Sequence, residues 1–352
     1  MNPALTDLLS TARVVSLPLR SRFRGVVDRE VMLFEGPNGW AEWSPFLEYP
    51  DEEAAVWLAA AIEFAYGKLP EVRREAIPVN ATLPAVAPDQ IEKVLSRFGS
   101  FGTVKIKVAE KGQDLNDDLQ RVWAVRAAYP DARIRLDANG GYSVEQAIAL
   151  AGAMLENGVP LDYLEQPVAS IAEMAELRLR LTKAGIGAND KIDSAGRTGV
   201  KIAADESVRK VSDPMAVVQA EAADVLVLKA APLGGITRAL DIAAEAGLPV
   251  VISSALESSV GLSMGAHLAA ALTLHGTAGA GTSPGGLAFD CGLGTGALLA
   301  GDVTREPLTP IDGFIEVRRV AVDEQKLDVF EAEDHRIDWW IDRLDRAYKH
   351  LN

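Results

Sequence analysis

An α/β chain organised as a (β/α) barrel with a smaller α+β unit attached is predicted by three observations. The chain has 352 residues, more than one ordinary domain holds. From about Ile77 onward, short β-rich runs alternate with amphipathic helices, the pattern of parallel strands joined by crossover helices. Eight such units over this length fit a closed barrel better than an open doubly wound sheet.

Composition narrows the function classes. Hydrophobic residues at 48% supply a sizeable core, and 24% charged residues argue against extensive disorder. A formal charge of −15 would repel a phosphate backbone, so nucleic acid is not an expected partner. The single cysteine, Cys291, allows no internal disulfide; a small buried hydrophobe in a reducing compartment is the expectation. No charge-free apolar run is long enough to span a bilayer, and the first twenty residues lack a basic stretch leading into an apolar core. A soluble cytoplasmic protein is therefore expected, with no membrane partner.

The elements follow in order. Arg13 to Leu19 and Val26 to Phe34 alternate as two strands, and a Gly36-Pro37-Asn38-Gly39 turn leads to a third at Trp40 to Trp43. A helix then begins with Asp51 as its cap and buries Trp57, Leu58, Ala61, Ile62 and Ala65 along one face. Barrel strands are predicted to end near Asn80, Lys107, Asp137, Glu165, Asp205, Lys229 and Ser254, with a last one near Gly281. Ser143 with Gln146 reads as a capping box, and Asp213 before Pro214 as a cap with a first-turn proline. The long gap between Glu165 and Asp205 holds a glycine-rich polar stretch over 185–199, expected as a surface insertion. Strand-like residues return at Gly313 to Val317, followed by a closing helix with Trp339 and Trp340, a pair expected in the core. The expected division is 1–76 for the small α+β unit, 77–300 for the barrel and 301–352 for a tail that packs back on the small unit.

The chemistry sits at strand ends. Strand period two places Lys105 and Lys107 of Val-Lys-Ile-Lys-Val on one face, with Val104, Ile106 and Val108 on the other. Taken alone, this pattern equally fits an edge strand with a solvated charged face. Three further runs finish on carboxylates: Arg133 to Asp137, Leu161 to Glu165 and Lys201 to Asp205. Adjacent parallel strands lie roughly 5 Å apart, so strand-end residues at one height converge. Three converging carboxylates repel unless a cation sits among them. Without histidine or cysteine nearby, Mg²⁺ fits that place best and Mn²⁺ next. Val225 to Lys229 ends in a lysine two strands past the last acid, opposite the first lysine pair. A neighbouring ammonium, a metal cation and desolvation together lower a lysine pKa toward that of a useful base.

The order Lys105-x-Lys107, Asp137, Glu165, Asp205 within Asp-Glu-Ser, then Lys229 resembles the enolase superfamily, in its muconate-lactonising branch. The run from Ile252 to Gly261, that from Ala288 to Gly296, and Arg22-Phe23-Arg24-Gly25 are similar to the corresponding segments of the o-succinylbenzoate synthases of menaquinone biosynthesis. The resemblance implies a (β/α)7β barrel with a capping domain made from both chain ends. It also implies dehydration of a small cyclohexadiene carboxylate to an aromatic ring. By position, Lys107 would be the base, Lys229 would face it across the ring, and Lys105 would tune Lys107. Asp137, Glu165 and Asp205 would hold the metal. Ser253, Ser254 and the backbone near Gly281 and Ser283 would bind the succinyl carboxylate.

Other readings stay open on the sequence. Arg22 and Arg24, in a loop of the small unit, either close over the barrel mouth or are simply solvated. His267 and His275 read as satisfied or surface histidines. An N-acylamino-acid racemase or dipeptide epimerase would use the same two lysines, and a barrel that has lost its chemistry would serve as a binding module.

Overall fold

The computed structural model describes residues 3–23, 25–188, 199–209, 213–273 and 287–351. A short helix at Leu5–Thr11 comes first; with Leu8 its only buried residue, it has no helical repeat to announce it in the sequence. Three antiparallel strands follow in the order β1 (Arg13–Phe23), β2 (Val26–Gly36) and β3 (Gly39–Trp43). Gly36 faces Gly39 across the turn, and Gly39 takes a φ of +103°, a backbone region that suits glycine.

The helix Asp51–Tyr66 buries all five of the residues expected on its inner face. Its cap differs from expectation. Pro50 occupies the cap position, while Asp51 is the first helical residue and its carboxylate binds Arg346 at 2.8 Å.

The remaining strands are β4 (Ala76–Pro78), β5 (Ala81–Leu83), β6 (Thr103–Lys107), β7 (Arg133–Asp137), β8 (Leu161–Glu165), β9 (Ile202–Ala204), β10 (Val225–Leu228), β11 (Val250–Ile252) and β12 (Phe314–Glu316). Strands β5 to β11 form one parallel sheet in sequence order. Its two edges meet across Cys291 and Gly292. On one side Cys291 N donates to Pro78 O at 2.7 Å and Asn80 N to Cys291 O at 3.0 Å. On the other, Gly292 N donates to Ile252 O at 2.8 Å and Ser254 N to Gly292 O at 3.2 Å. The sheet thus closes into a barrel and leaves no open edge there.

Several boundaries shift. The first barrel strand begins at Ala81, just beyond the end expected near Asn80, because Ala76–Pro78 pair antiparallel with β12 instead. Strands β9 and β10 stop one residue before Asp205 and Lys229, so those side chains project from the first residue past each strand. The position near Gly281 lies outside the described residues, as does His275; among those described, the closing segment is Cys291–Gly292. Of the expected insertion, 189–198 are likewise outside, and its flanks meet in a parallel bridge between Gly187 and Val200.

The crossover helices begin where local chemistry starts them. Ser143 with Gln146, Asp114 with Asp117 and Ser170 with Glu173 each form a reciprocal capping box. The tail returns to the cap: the helix Asp334–Tyr348 packs on the helix Asp51–Tyr66, and Trp340 is fully buried, edge-on to Trp43 with ring centroids 5.4 Å apart. Cys291 is buried, which pushes its thiol pKa up to about 12. No described helix is long and apolar enough to cross a membrane.

Candidate active site

Parallel register carries the charged residues to one height. The Cα atoms of Lys107 and Asp137 are partners across β6 and β7, and those of Asp137 and Glu165 across β7 and β8. Glu165 then pairs with Ala203, and Asp205 lies two residues on, on the same face. Every residue of β6 is buried, so Lys105 and Lys107 point into the barrel and the solvated-edge reading is excluded.

The side chains meet. Lys105 Nζ lies 2.9 Å from Asp137 Oδ2 and 2.9 Å from Glu165 Oε1. Lys107 Nζ donates to Asp137 Oδ2 at 2.5 Å and to Asn139 Oδ1 at 2.9 Å. Across the barrel Lys229 is paired with Asp205, whose second oxygen receives Arg209 at 3.1 Å. Lys105, Lys107, Asp205 and Lys229 line one cavity, with Ser253, Ser254 and Thr295 along its rim and Phe46, Trp57 and Leu256 as apolar walls.

Electrostatics explains the pairing. Burial raises the pKa of Glu165 to about 7, with the nearby Asp137 charge adding to it and Lys105 opposing. Burial pulls the Lys105 pKa down, but Asp137 and Glu165 together outweigh it and the net shift is upward. That reverses, for Lys105, the lowering expected from neighbouring cations, because two carboxylates stand closer to it than any other positive group. Among the described residues no set of three His, Cys, Asp or Glu side chains is gathered as a ready-made metal cage. The ammonium groups lie on the three carboxylates, whose oxygens are the hard donors that a dication would take.

The sequence reading missed several contributors. Asn139 holds Asp137 through its backbone and side-chain nitrogens and also accepts from Lys107; its two-residue spacing from Asp137 was the available signal. Gln166 is fully buried and accepts from Asp205 N and Ser207 N, each at 3.1 Å, which fixes the turn that carries Asp205. Ser254 shares a hydrogen bond with Thr295 at 2.7 Å. Ser253 is buried against Gly292. Arg22 belongs to β1 rather than to a loop, and borders a second cavity with Lys107 and Asn139. Arg24, Gly281 and Ser283 lie outside the described residues. His267 is half-buried, its Nδ1 2.7 Å from Ser263 O and its ring edge-on to Phe64, as a satisfied histidine should be.

The family model for the enolase C-terminal domain-like fold matches residues 87–321, and that for the enolase N-terminal domain-like fold matches 14–65. The o-succinylbenzoate synthase of Mycobacterium ulcerans is 51% identical over 344 residues, 98% of this chain and 95% of that one. The chain belongs to the o-succinylbenzoate synthase family of the enolase superfamily. The family member from Mycobacterium tuberculosis strain H37Rv is 49% identical over 349 residues, 99% of this chain and 97% of its own. Among solved structures, the muconate lactonizing enzyme of Pseudomonas putida has a TM-score of 0.69 at 21% identity, covering 91% of this chain and 98% of that one. The muconate lactonizing enzyme of Pseudomonas fluorescens has a TM-score of 0.72 at 20% identity, covering 92% and 98%. These two likenesses show the fold, a barrel with a cap built from both chain ends, in agreement with the two enolase family models.

Proposed function

We propose that this chain is a hydro-lyase that converts 2-succinyl-6-hydroxy-2,4-cyclohexadiene-1-carboxylate to o-succinylbenzoate and water, in menaquinone biosynthesis, as a soluble cytoplasmic enzyme. The observation that carries the reading is the cavity bounded by Lys105 and Lys107 on one wall and Lys229 on the other, beside three buried carboxylates. The relatives' name, o-succinylbenzoate synthase, favours dehydration over the racemase or epimerase chemistry that the same two lysines could serve.

Asp137, Glu165 and Asp205 would hold Mg²⁺, with Mn²⁺ as a substitute; three buried oxygen donors with no nitrogen or sulfur among them fit a hard dication. Such an ion supplies Lewis-acid stabilisation of the negative charge that develops on the substrate carboxylate. Lys107 removes the proton α to that carboxylate, the C–H electron pair moves toward the carboxylate as an enolate, and it becomes the new ring double bond when the C–O bond breaks. Lys107 then returns the proton to the departing hydroxyl as the C–O bond breaks, so water leaves and the ring becomes aromatic. Lys229, on the opposite side, stays protonated and offsets the charge of the enolate. Lys105, between Asp137 and Glu165, keeps the acids spaced and tunes Lys107.

Ser253 and Ser254 would receive the succinyl carboxylate through their hydroxyl groups, aided by the backbone at Gly281 and Ser283. Arg24 and its neighbour Arg22 would help close the mouth. The accompanying division assigns 1–76 and 301–352 to the cap and 77–300 to the barrel.

Purified protein with Mg²⁺ and the cyclohexadiene precursor should yield a product lighter by one water, read by mass spectrometry. Interconversion of N-acylamino acid enantiomers without water release from the precursor would favour the racemase reading instead.

A further inference from the structure

Lys107 ends β6, and the backbone beneath it is clasped from outside the barrel. Asp118 and Arg121, one turn apart on the helix Leu115–Ala128, form an ion pair at 2.8 Å that is only 1% and 2% exposed. Arg121 directs its donors to three other segments: Nη1 to Lys107 O at 3.0 Å, Nε to Val86 O at 2.9 Å, and Nη2 to Gln113. Asp118 accepts from Ala109 N at 3.0 Å and from the Tyr142 hydroxyl. The carbonyl of residue 107 and the amide of residue 109 are therefore both held. Between them, Val108 N donates to Asp137 O at 3.0 Å.

Two features indicate that this is more than packing. Ala109 has a φ of +58°, left-handed backbone that a residue with a Cβ adopts rarely and keeps only when its surroundings enforce it. A buried ion pair is also an inefficient way to add stability, since apolar side chains of similar volume often serve as well. What the pair adds is direction: a planar guanidinium with donors in a fixed fork sets the carbonyls of Lys107 and Val86 relative to one another, with the Gln113 side chain as its third partner. The segments the pair joins are the loop after β5, the end of β6 and, through Tyr142, the loop after β7, which follows Asp137 and contains Asn139.

We propose that Asp118, Arg121 and Tyr142 form a positioning network for Lys107, fixing the strand end so that its amine nitrogen meets the substrate's α-proton at a reactive distance. This rests on Lys107 being the base of the proposed dehydration. The three residues touch neither substrate nor reacting atoms; they act through the backbone of 107–109.

The test uses the full chain with Mg²⁺ and the cyclohexadiene substrate, both unlabelled and deuterated at the α-carbon. Tyr142→Phe removes one donor to Asp118 at nearly constant volume; Arg121→Met removes the clasp, and Arg121→Lys restores part of it. The expected result is a kcat at least tenfold lower in Tyr142→Phe and lower still in Arg121→Met, with partial recovery in Arg121→Lys. KM should stay within about threefold, and the deuterium isotope effect on kcat should rise as proton transfer becomes slower. If Arg121→Met does not fold, Tyr142→Phe and Arg121→Lys decide the matter. A kcat and isotope effect matching the unaltered chain would overturn the proposal. So would a loss of activity that merely follows the folded fraction in a circular-dichroism melt, or a change confined to KM. Turnover in Lys107→Ala close to that of the unaltered chain would instead remove the assignment of the base, which separates the two failures.

Discussion

Two layers of the same barrel interior treat buried charge in opposite ways. One layer below Asp137, Arg135 is fully buried and donates to Asp162 at 3.0 Å, to Asn80 Oδ1 at 3.0 Å and to the carbonyl of Asp290 at 2.6 Å. Its guanidinium lies over the rings of Tyr163 and Phe289, 4.9 and 5.6 Å from their centroids. Valines 225, 227 and 251 complete that layer. Every partner there is dedicated, and a group that is always protonated has nothing to exchange. In the upper layer the lysines share carboxylates and border a cavity. Depth along one strand thus separates a charge used to hold the barrel from charges that can move a proton.

The largest effect that would sharpen this contrast is in Lys107→Ala. Turnover should fall by about a thousandfold or more while the thermal midpoint hardly changes, since a general base contributes roughly 10²–10⁴ in rate. A stable fold with undiminished turnover would end the assignment. Arg135→Met should do the reverse: it leaves buried acceptors unpaired, and denaturant unfolding should show a loss of about 3 kcal/mol. An unchanged midpoint would mean that the lower layer is not structural.

Glu165→Gln should weaken Mg²⁺ binding at least tenfold by calorimetry without lowering stability, because it removes one of three crowded negative charges. Lys105→Arg should be milder than Lys107→Ala; equal severity would exchange their roles.

A third buried cluster, where the cap meets the loop after β11, extends the comparison with the smallest effect. Burial, reinforced by Glu257, raises the pKa of Glu42 from 4.5 to about 7, while Ser258 and Ser44 donate to its carboxylate. A carboxyl group held protonated in the folded state loses relative stability as pH rises. The unfolded chain ionises from about 4.5, the folded one only near 7, and the loss then levels off. Glu42→Gln should therefore raise the thermal midpoint more at pH 8 than at pH 5, by on the order of 1–3 kcal/mol in stability. A gain of equal size at both pH values would refute the charge argument.

Much of this was legible in the linear chain because strand periodicity is a local property. Once β6, β7 and β8 were read as buried parallel strands, the facing of Lys105, Lys107, Asp137 and Glu165 followed from alternation alone. Capping boxes such as that of Ser143 and Gln146 were equally visible, since they depend on residues three apart. What escaped notice depends on distant partners. Asp51 lost its capping role to an ion pair with Arg346, 295 residues away in sequence. Ile77 and Pro78 read as part of a barrel strand, but β12 claims them. The clasp by Arg121 leaves no mark in its own helix, where an arginine followed by Val122 looks like any solvated basic residue.

By itself, the sequence determined which residue types stand at which strand ends, and so the cluster of three acids and three lysines; side-chain alternation needs only the backbone's twofold period. Tertiary structure alone decided which ammonium lies on which carboxylate, how Cys291 and Gly292 close the barrel, and what grips the backbone under Lys107. Those outcomes depend on ångström-scale distances between segments far apart in the chain, and only the packed barrel sets such distances.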